Sequence, residues 1–542
     1  MNQLNRRHFI ECATASAVAL AFRADCAQEK SAKPVPFRTI YSNDTTHILS
    51  CQRPETRSEF TDALLRRSIT EAGDADAHFL QPGLGWIPWW NSDIYSVEDH
   101  YRWLRDTFNI KGVRKIDRYL LSGGDMLQTL VETCQKIKVA PFLSFRLNDG
   151  HHVRDLQQAL QRGKPTQNMA RHYWENCLKF RIGEDSADWD AGVFDWSIPE
   201  VRNYKFALIE EACATYDLAG LELDFLRHWV RFGPQCPLEE RSTITTDFVR
   251  RVRRMLDKTA VDRGLPRRWL CVRVPASSKI RPEQGINLAE LTRAGVDMIN
   301  LSHSYFTWQD DEVHRAREEV RDKAAVYLEM THTTMTGKAS AGSGTQPFLR
   351  TTDEQFYTTA RLARQQGAHG VSLFNFPYYR YHVTETIGPF HEPPFHVLPK
   401  LTDDEFLKSQ PQWYFLSSGR NDPVLGKKAL PAILKRDQPH TLSMAMMPTK
   451  ERHANGLLRL RSNESISDRT IDVYFNNVKL NTAETVIMPL PHRYKDTWLG
   501  KPEELECFTL PSDTPVAAVN DVKIVVRKGI RVRLTYLDVT LS

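Results

Sequence analysis

From residue 37 onward the chain alternates short β-branched or apolar runs with longer helical patterns, and this alternation limits the possible folds more than any other feature. The strand-like runs are "FRTIYS" (37–42), "DAHFLQ" (76–81), "VAPFLSFRL" (139–147), "LAGLELDFL" (218–226), "WLCVRVP" (269–275), "VDMINLSH" (296–303), "AAVYLEM" (324–330) and "HGVSLFNF" (369–376). Helical patterns fill the gaps, some with clear starts, such as Ser197, Pro199 and Glu200 in "SIPEVRNY" and the Thr352 of "TTDEQF". Eight such units in about 360 residues predict an α/β fold, a (β/α)8 TIM barrel. The barrel is expected over 35–400, enlarged by an insertion over 150–191. No G-x-G-x-x-G follows the first strand, so a doubly wound dinucleotide fold has no anchor. After a linker over 401–429, "TLSMAMMP", "TIDVYFNNVKL", "VKIVVRKG" and "RVRLTYLDVTL" alternate between turn residues. They predict an antiparallel β-sandwich over 430–542, an accessory domain that packs on the barrel or binds sugar.

Barrel strands point alternate side chains into the helix layer and into the interior. In "GLELDF" the apolar set Leu221, Leu223 and Phe225 marks the outward face, which sends Gly220, Glu222 and Asp224 inward. The two acids then lie roughly 6.6 Å apart along the strand, with Asp224 nearer the C-terminal rim, where barrel enzymes keep their chemistry. The same test sends Ser144, Arg146 and Asn148 inward on strand three, with Asp149, His151 and His152 in the loop that follows. It sends Arg273 inward on strand five and Tyr327 and Glu329 inward on strand seven, and it leaves His303 and Asn375 at the rim.

Strand ends three, four, five and seven therefore converge on a pocket rich in ionisable groups, which costs stability unless the groups are paired or used. One reading is an internal salt-bridge network in which Arg146, Arg227 and Arg273 neutralise the acids, with Glu222, one layer deeper, as structural support. The other places chemistry on Asp224 and Glu329 at the rim, with Arg227 as the partner that orients Asp224. Two carboxylates across a groove are what glycosidic cleavage needs. Aromatics in the rim loops, Trp86, Trp89, Trp90 and Tyr95 after strand two, Tyr305 and Trp308 after strand six, Tyr378 and Tyr379 after strand eight, favour a sugar-binding groove as a set.

"YDLAGLELDFLRH" resembles the Y-x-x-D-G-x-x-x-D-(F/Y)-x-R strand of glycoside-hydrolase-like (β/α)8 barrels, the group called glycosyl-hydrolase-like ten and its exported relatives. "FDWSIPEVRNY", "FLSFRLNDGHH" and "QQGAHGVSLFNF" look like its accompanying pieces, and the resemblance covers roughly 37–385. It implies a glycoside hydrolase in which Asp224 matches the acid on strand four and Arg227 the arginine after it. The chain departs from the pattern at Ala219, where the group has Asp, and at Glu222, where it has Asp; a fold match does not by itself carry activity or substrate.

The expected function is hydrolysis of a glycosidic bond by Asp224, Glu329 and Glu222, with substrate held by Arg146, Asn148, Asp149, His151, Arg227, Arg273, His303, Asn375, Trp89, Trp90 and Tyr305. Three alternatives stand beside it: a carbohydrate-binding protein without turnover, a metal-dependent hydrolase or deacetylase using Asp149, His151, His152 and His303, and a polysaccharide lyase with His303 or a rim tyrosine as base and Arg273 facing a uronate. The hydrolase calls for no cofactor and no metal. With 72 basic and 67 acidic residues and a formal net charge of +5, bulk electrostatics does not point to nucleic acid. Arg6 and Arg7 ahead of the apolar stretch from Cys12 to Phe22 have the layout of a twin-arginine signal peptide over 1–27. The mature protein is then expected to be soluble and periplasmic or extracellular, free of membrane, with a carbohydrate as its partner; oligomeric state is not readable. Cys51, Cys134, Cys177, Cys213, Cys236, Cys271 and Cys507 lack CxxC spacing and are expected as buried free thiols.

Overall fold

In the computed structural model, eight parallel strands close into a barrel: β1 (Thr39–Asn43), β2 (Ala77–Leu80), β3 (Ala140–Arg146), β4 (Gly220–Asp224), β5 (Trp269–Pro275), β6 (Met298–Ser302), β7 (Ala325–Thr331) and β8 (Gly370–Phe374). Each pairs with the next in sequence, and β8 closes on β1. The structure describes residues 35–45, 48–49, 51–52, 59–184, 191–336, 348–380, 392–417, 429–450, 452–462, 469–483, 486–487 and 504–542. The leader expected over 1–27 lies outside them. Residues 37–542 form one compact unit. Among the described residues no helix is long and apolar enough to cross a membrane; the seven cysteines from Cys51 to Cys507 are buried, and Cys134, Cys177, Cys213, Cys236 and Cys271 are free thiols.

The strand faces follow the period-two rule. Leu143, Phe145, Leu221, Leu223, Leu270, Val272, Val326 and Leu328 all join the apolar cluster formed with the surrounding helices. Inside, the barrel is layered. At its floor Phe79 and Phe142 stack with ring centres 4.4 Å apart. Gly220 opens β4 because the Phe142 ring fills the space a β-carbon would take, 2.1 Å from its ideal position. Helix termini are partly as expected: Thr352 and Gln355 form a capping box on the helix Asp353–Gln365, and Pro199 opens the helix Pro199–Thr215. Ser197 makes no cap; its backbone N–H donates instead to Asp195 Oδ1 at 2.8 Å.

After β3 the expected insertion contributes the helices Leu156–Arg162 and Arg171–Phe180. Beyond the barrel lie two antiparallel sheets of seven and four strands. Leu458 and Leu537 of the first and Leu442 and Val473 of the second belong to one buried apolar cluster. The seven-stranded sheet starts at Gln412–Ser417, inside the stretch expected to be a linker. Trp413, Tyr414 and Phe415 are buried there, so the apolar side chains of that stretch serve a sheet edge.

Candidate active site

Above the aromatic floor the barrel interior turns polar. Ser144 Oγ donates to Glu222 Oε1 at 2.6 Å, and Cys271 Sγ lies 3.5 Å from Glu222 Oε2. The Asn300 amide nitrogen reaches Glu222 Oε2 at 3.3 Å, Glu329 Oε2 at 3.4 Å and Ser372 Oγ at 3.3 Å. Glu222 is wholly buried, and these hydrogen-bond partners are all uncharged. Burial first, then the charge of Asp224, push its pKa up from the ordinary carboxylate value to about 7.

One layer higher, Asp224 ends β4 and Arg273 stands beside it in register on β5. The Arg273 Nη1 is 3.2 Å from both Asp224 oxygens, while Nε and Nη2 grip Glu329 at 2.6 and 2.7 Å. One guanidinium thus clasps two carboxylates. Burial works against the Arg273 charge, and Glu329 and Asp224 more than offset it, raising the pKa. Ser302 Oγ donates to Glu329 Oε1 at 2.5 Å, and the backbone N–H groups of Leu226 and Arg227 donate to Asp224 Oδ1 at 2.9 and 3.3 Å.

A second clasp stands on β3. Arg146 Nη2 is 2.7 Å from Asp44 Oδ2, and its Nη1 is 3.4 Å from Asp149 Oδ2. Asp149 Oδ1 also accepts from the backbone N–H and Nδ1 of His151 at 2.9 and 2.5 Å. Burial opposes the Asp149 charge, but His151 and Arg146 hold its pKa well below the usual carboxylate range. Arg227 Nη2 meets His151 Nε2 at 2.7 Å. A guanidinium can only donate, so Nε2 accepts and the His151 proton sits on Nδ1, facing Asp149. Burial, opposed by Asp149 and reinforced by Arg227, keeps the His151 pKa low.

These contacts correct two expectations. Arg227 does not orient Asp224 through its side chain; Arg273 does, because it occupies the neighbouring strand at the same level, whereas Arg227 leaves the strand end and turns toward His151. Neither acid stands at an open rim: Glu329 is fully buried and held on both oxygens, and Asp224 is 3% exposed.

The remaining candidates divide. Asn148 spends its amide nitrogen on the carbonyls of Phe194 and Val230, each at 2.9 Å, bracing loops. His303 is buried, with Nε2 3.3 Å from Asp310 Oδ2 and its ring parallel to Trp308 at 6.0 Å. Asn375 is buried at φ 56°, and neither of its amide atoms has a hydrogen-bond partner among the described residues. Trp89 and Trp90, with Trp86, are 1–3% exposed and belong to the core packed with the helix layer; Trp86 and Trp90 also border a small pocket that reaches Arg146 and Asp149. Their loop folds back as a short hairpin, Gly83–Leu84 against Ile87–Pro88, and Trp90 Nε1 is tied to Glu211 Oε2 at 2.9 Å. Of the expected rim aromatics, Tyr305 and Trp308 do come together, in the aromatic wall of the mouth. Tyr305, Phe306 and Phe374 cluster with Trp308 packed against them; the Arg227 guanidinium lies 5.6 Å from the Tyr305 ring and that of Arg273 4.1 Å from Phe374. Trp229, half-buried in the loop after β4, stacks on His228.

The sequence reading missed Asp44, Asn300 and Ser302. Asp44 was within its reach, since Tyr41 packs outward and the alternation then sends Ser42 and Asp44 inward. Of the four residues weighed as metal ligands, His152 is buried against Tyr173 at 3.7 Å with its pKa lowered by burial to about 3. Among the described residues no group of three or more His, Cys, Asp or Glu is placed to hold a metal ion.

No family model and no curated protein matches this sequence. Among solved structures it is similar to the chitinase ChiW of Paenibacillus sp. str. FPU-7, at 11% identity and a TM-score of 0.35 over 92% of this chain and 56% of that one. It is also similar to the PgaB (BpsB) glycoside hydrolase domain of Bordetella bronchiseptica, at 10% identity and a TM-score of 0.40 over 64% and 96%. A third is a glycoside hydrolase family 18 N-acetylglucosaminidase from Paenibacillus barengoltzii, at 11% identity and a TM-score of 0.36 over 67% and 99%. The barrel itself rests on the strand order and register given above.

Proposed function

We propose that this protein is an exported glycoside hydrolase that cleaves oligo- or polysaccharide at the C-terminal mouth of its barrel, with Asp224 as the carboxylate facing the sugar. The observation that carries this reading is the setting of Asp224: at the end of β4, fixed by Arg273 and two backbone N–H groups. Cleavage of a glycosidic bond builds positive charge at the anomeric carbon, and a fixed carboxylate stabilises that charge without reorganising. The mouth reinforces it, with the four carboxylates of Asp44, Asp149, Asp224 and Glu329 against the three guanidinium groups of Arg146, Arg227 and Arg273. Hydrolysis also needs a second acid to protonate the leaving oxygen; that role falls to Glu329 or Glu222, of which the first also fixes Arg273 and the second supports the strand below Asp224. Export rests on the Arg6–Arg7 leader pattern. The barrel over 35–400 is the catalytic unit in this reading, and the two sheets beyond it pack face to face as a sandwich, which their shared apolar cluster supports.

A second reading has its own observation. Asp224 and Glu329, the two acids expected to share the chemistry, are bound to the same guanidinium, which suits a carbohydrate-binding barrel without turnover. One experiment separates the two. Purified protein is assayed for reducing ends released from chitin and chitosan oligomers, xylan, cellulose, and uronic and sulfated polysaccharides, beside Asp224→Asn. Turnover by wild type that the variant loses, with glycan binding retained, supports the hydrolase. Binding by both proteins without release of reducing ends replaces it with the binder.

A further inference from the structure

The loop after β6, "HSYFTWQDD", carries most of the aromatic wall, and it is fastened at two depths. Near the barrel, Thr307 Oγ1 donates to the Thr331 carbonyl at 2.8 Å and accepts from the Thr331 N–H at 2.9 Å. The Thr307 N–H donates to the Thr333 carbonyl at 2.8 Å. These bonds sew the loop to the end of β7. The outer fastening is Gln309, the residue after Trp308, which is 4% exposed. Its Oε1 accepts from the Phe415 N–H at 2.9 Å, and its Nε2 donates to the Trp413 carbonyl at 3.2 Å and to Thr359 Oγ1 at 2.9 Å.

Trp413 and Phe415 lie on Gln412–Ser417, the edge strand of the seven-stranded sheet, whose other side pairs with Arg531–Leu541. Their outward N–H and C=O would bond the next strand if there were one, and buried backbone groups left unpaired are costly. The carboxamide of Gln309 has the same donor and acceptor as a peptide group, and it takes the place of that missing strand. A side chain of the mouth loop therefore takes two groups of the sheet edge, the Phe415 N–H and the Trp413 carbonyl, and fixes the backbone next to Trp308.

We propose that Gln309 is a positioning residue through which the C-terminal sheets hold the Trp308–Tyr305–Phe306 wall in the attitude that binds sugar. On this assignment, which rests on the glycan-binding reading of the mouth, the C-terminal region is part of the frame of the binding site. The same edge offers an internal control: Thr358 Oγ1, from the helix Asp353–Gln365, accepts from the Trp413 N–H at 2.8 Å and has no covalent continuity with the wall.

The test compares full-length wild type, Gln309→Leu and Thr358→Val, each of which unpairs the same strand edge. Melting temperature reads general damage, and hydrogen exchange of residues 303–311 reads the anchoring. KM and kcat are measured on the oligosaccharide of the panel that wild type cleaves. Both variants are expected to lose comparable melting temperature. Gln309→Leu raises exchange in 303–311 and KM by about tenfold with kcat within about threefold, while Thr358→Val leaves KM and that exchange within about twofold of wild type. Wild-type exchange at 303–311 in Gln309→Leu, or an equal rise of KM in Thr358→Val, overturns the assignment. If wild type cleaves none of the panel, the catalytic reading fails by itself, and exchange alone decides whether Gln309 anchors the wall.

Discussion

The barrel interior and the apolar cluster shared by the two C-terminal sheets follow the same rule of alternating side chains, with opposite chemistry. Leu442, Leu458, Val473, Val522, Ile524 and Leu537, drawn from both sheets, belong to one apolar cluster. Inside the barrel, the layer above Phe79 and Phe142 is Ser144, Glu222, Cys271, Asn300, Glu329 and Ser372, topped by Asp224 and Arg273. An apolar filling of the same volume would be at least as stable as buried ions. The difference therefore locates where the barrel interior gives up stability, beneath the mouth; in the C-terminal sheets the buried Arg459–Asp538 pair stands apart from the apolar cluster.

The sharpest way to break this comparison is to damage each interior. Arg273→Met leaves Asp224 and Glu329 buried without their cation, at a cost of about 3–5 kcal/mol, and turnover falls to background. Leu458→Ala opens a cavity in the C-terminal cluster and costs about 2–5 kcal/mol, while kcat per folded molecule stays at the wild-type level. Denaturant melts beside rates corrected for the folded fraction check both; a fully active Arg273→Met would erase the contrast. Next in size, Asp224→Asn keeps an acceptor for the Leu226 and Arg227 N–H groups but removes the charge. It is expected to lower kcat by about 10³, or roughly 4 kcal/mol of barrier, with a melt close to wild type. Unchanged kcat in that variant would move the chemistry off β4.

Why the architecture was readable and the pairing was not has a physical basis. Each strand has one face against the helix layer, so leucines and valines every second residue mark both the strand and its direction. The C-terminal end of every observed barrel strand falls within two residues of the run read from the sequence. Which arginine meets which acid depends on neighbours across the sheet. Arg227 is closest to Asp224 in sequence, yet Arg273, 49 residues away, is its register partner. Strand β6 defeated the parity test because Met298, buried but outside the helix-layer cluster, adjoins Ile299, and two apolar residues in succession blur the face that Asn300 and Ser302 share. The tryptophans of "GLGWIPWW" are buried for a reason composition does not carry: a two-stranded turn folds them toward the core, although Trp86 and Trp90 still border a small pocket with Arg146 and Asp149.

Glu222 sharpens the comparison through pH. Burial raises its pKa to about 7 in the folded protein, above the unfolded value. Between those two values the native state keeps a proton that the unfolded chain has released. The sign is therefore opposite to that of a salt-bridged acid: stability falls as pH climbs from about 4.5 to 7, by about 3 kcal/mol from this group. Glu222→Gln lacks that loss, so its urea midpoint relative to wild type should rise between pH 5 and pH 8. Parallel midpoints across that range would mean that the polar layer carries no titrating strain.

The smallest expected effect tests the wall alone. Trp308 packs against Tyr305, Phe306 and Phe374 while staying only partly buried, whereas Trp90, read from the sequence as its equivalent, is 3% exposed and bonded to Glu211. Trp308→Ala should therefore weaken glycan binding by about 1 kcal/mol, near fivefold, with little change in the melt. Trp90→Ala should do the reverse, lowering the melt with the affinity of the surviving folded protein intact. The loss in Trp308→Ala should also be smaller than in Gln309→Leu, because the latter releases Tyr305 and Phe306 together with Trp308. Titration of both tryptophan variants with the same oligosaccharide, at a temperature where each is folded, decides the matter. If Trp90→Ala binds worse than Trp308→Ala, the groove runs over the helix layer after β2, and the wall above Arg273 is only packing.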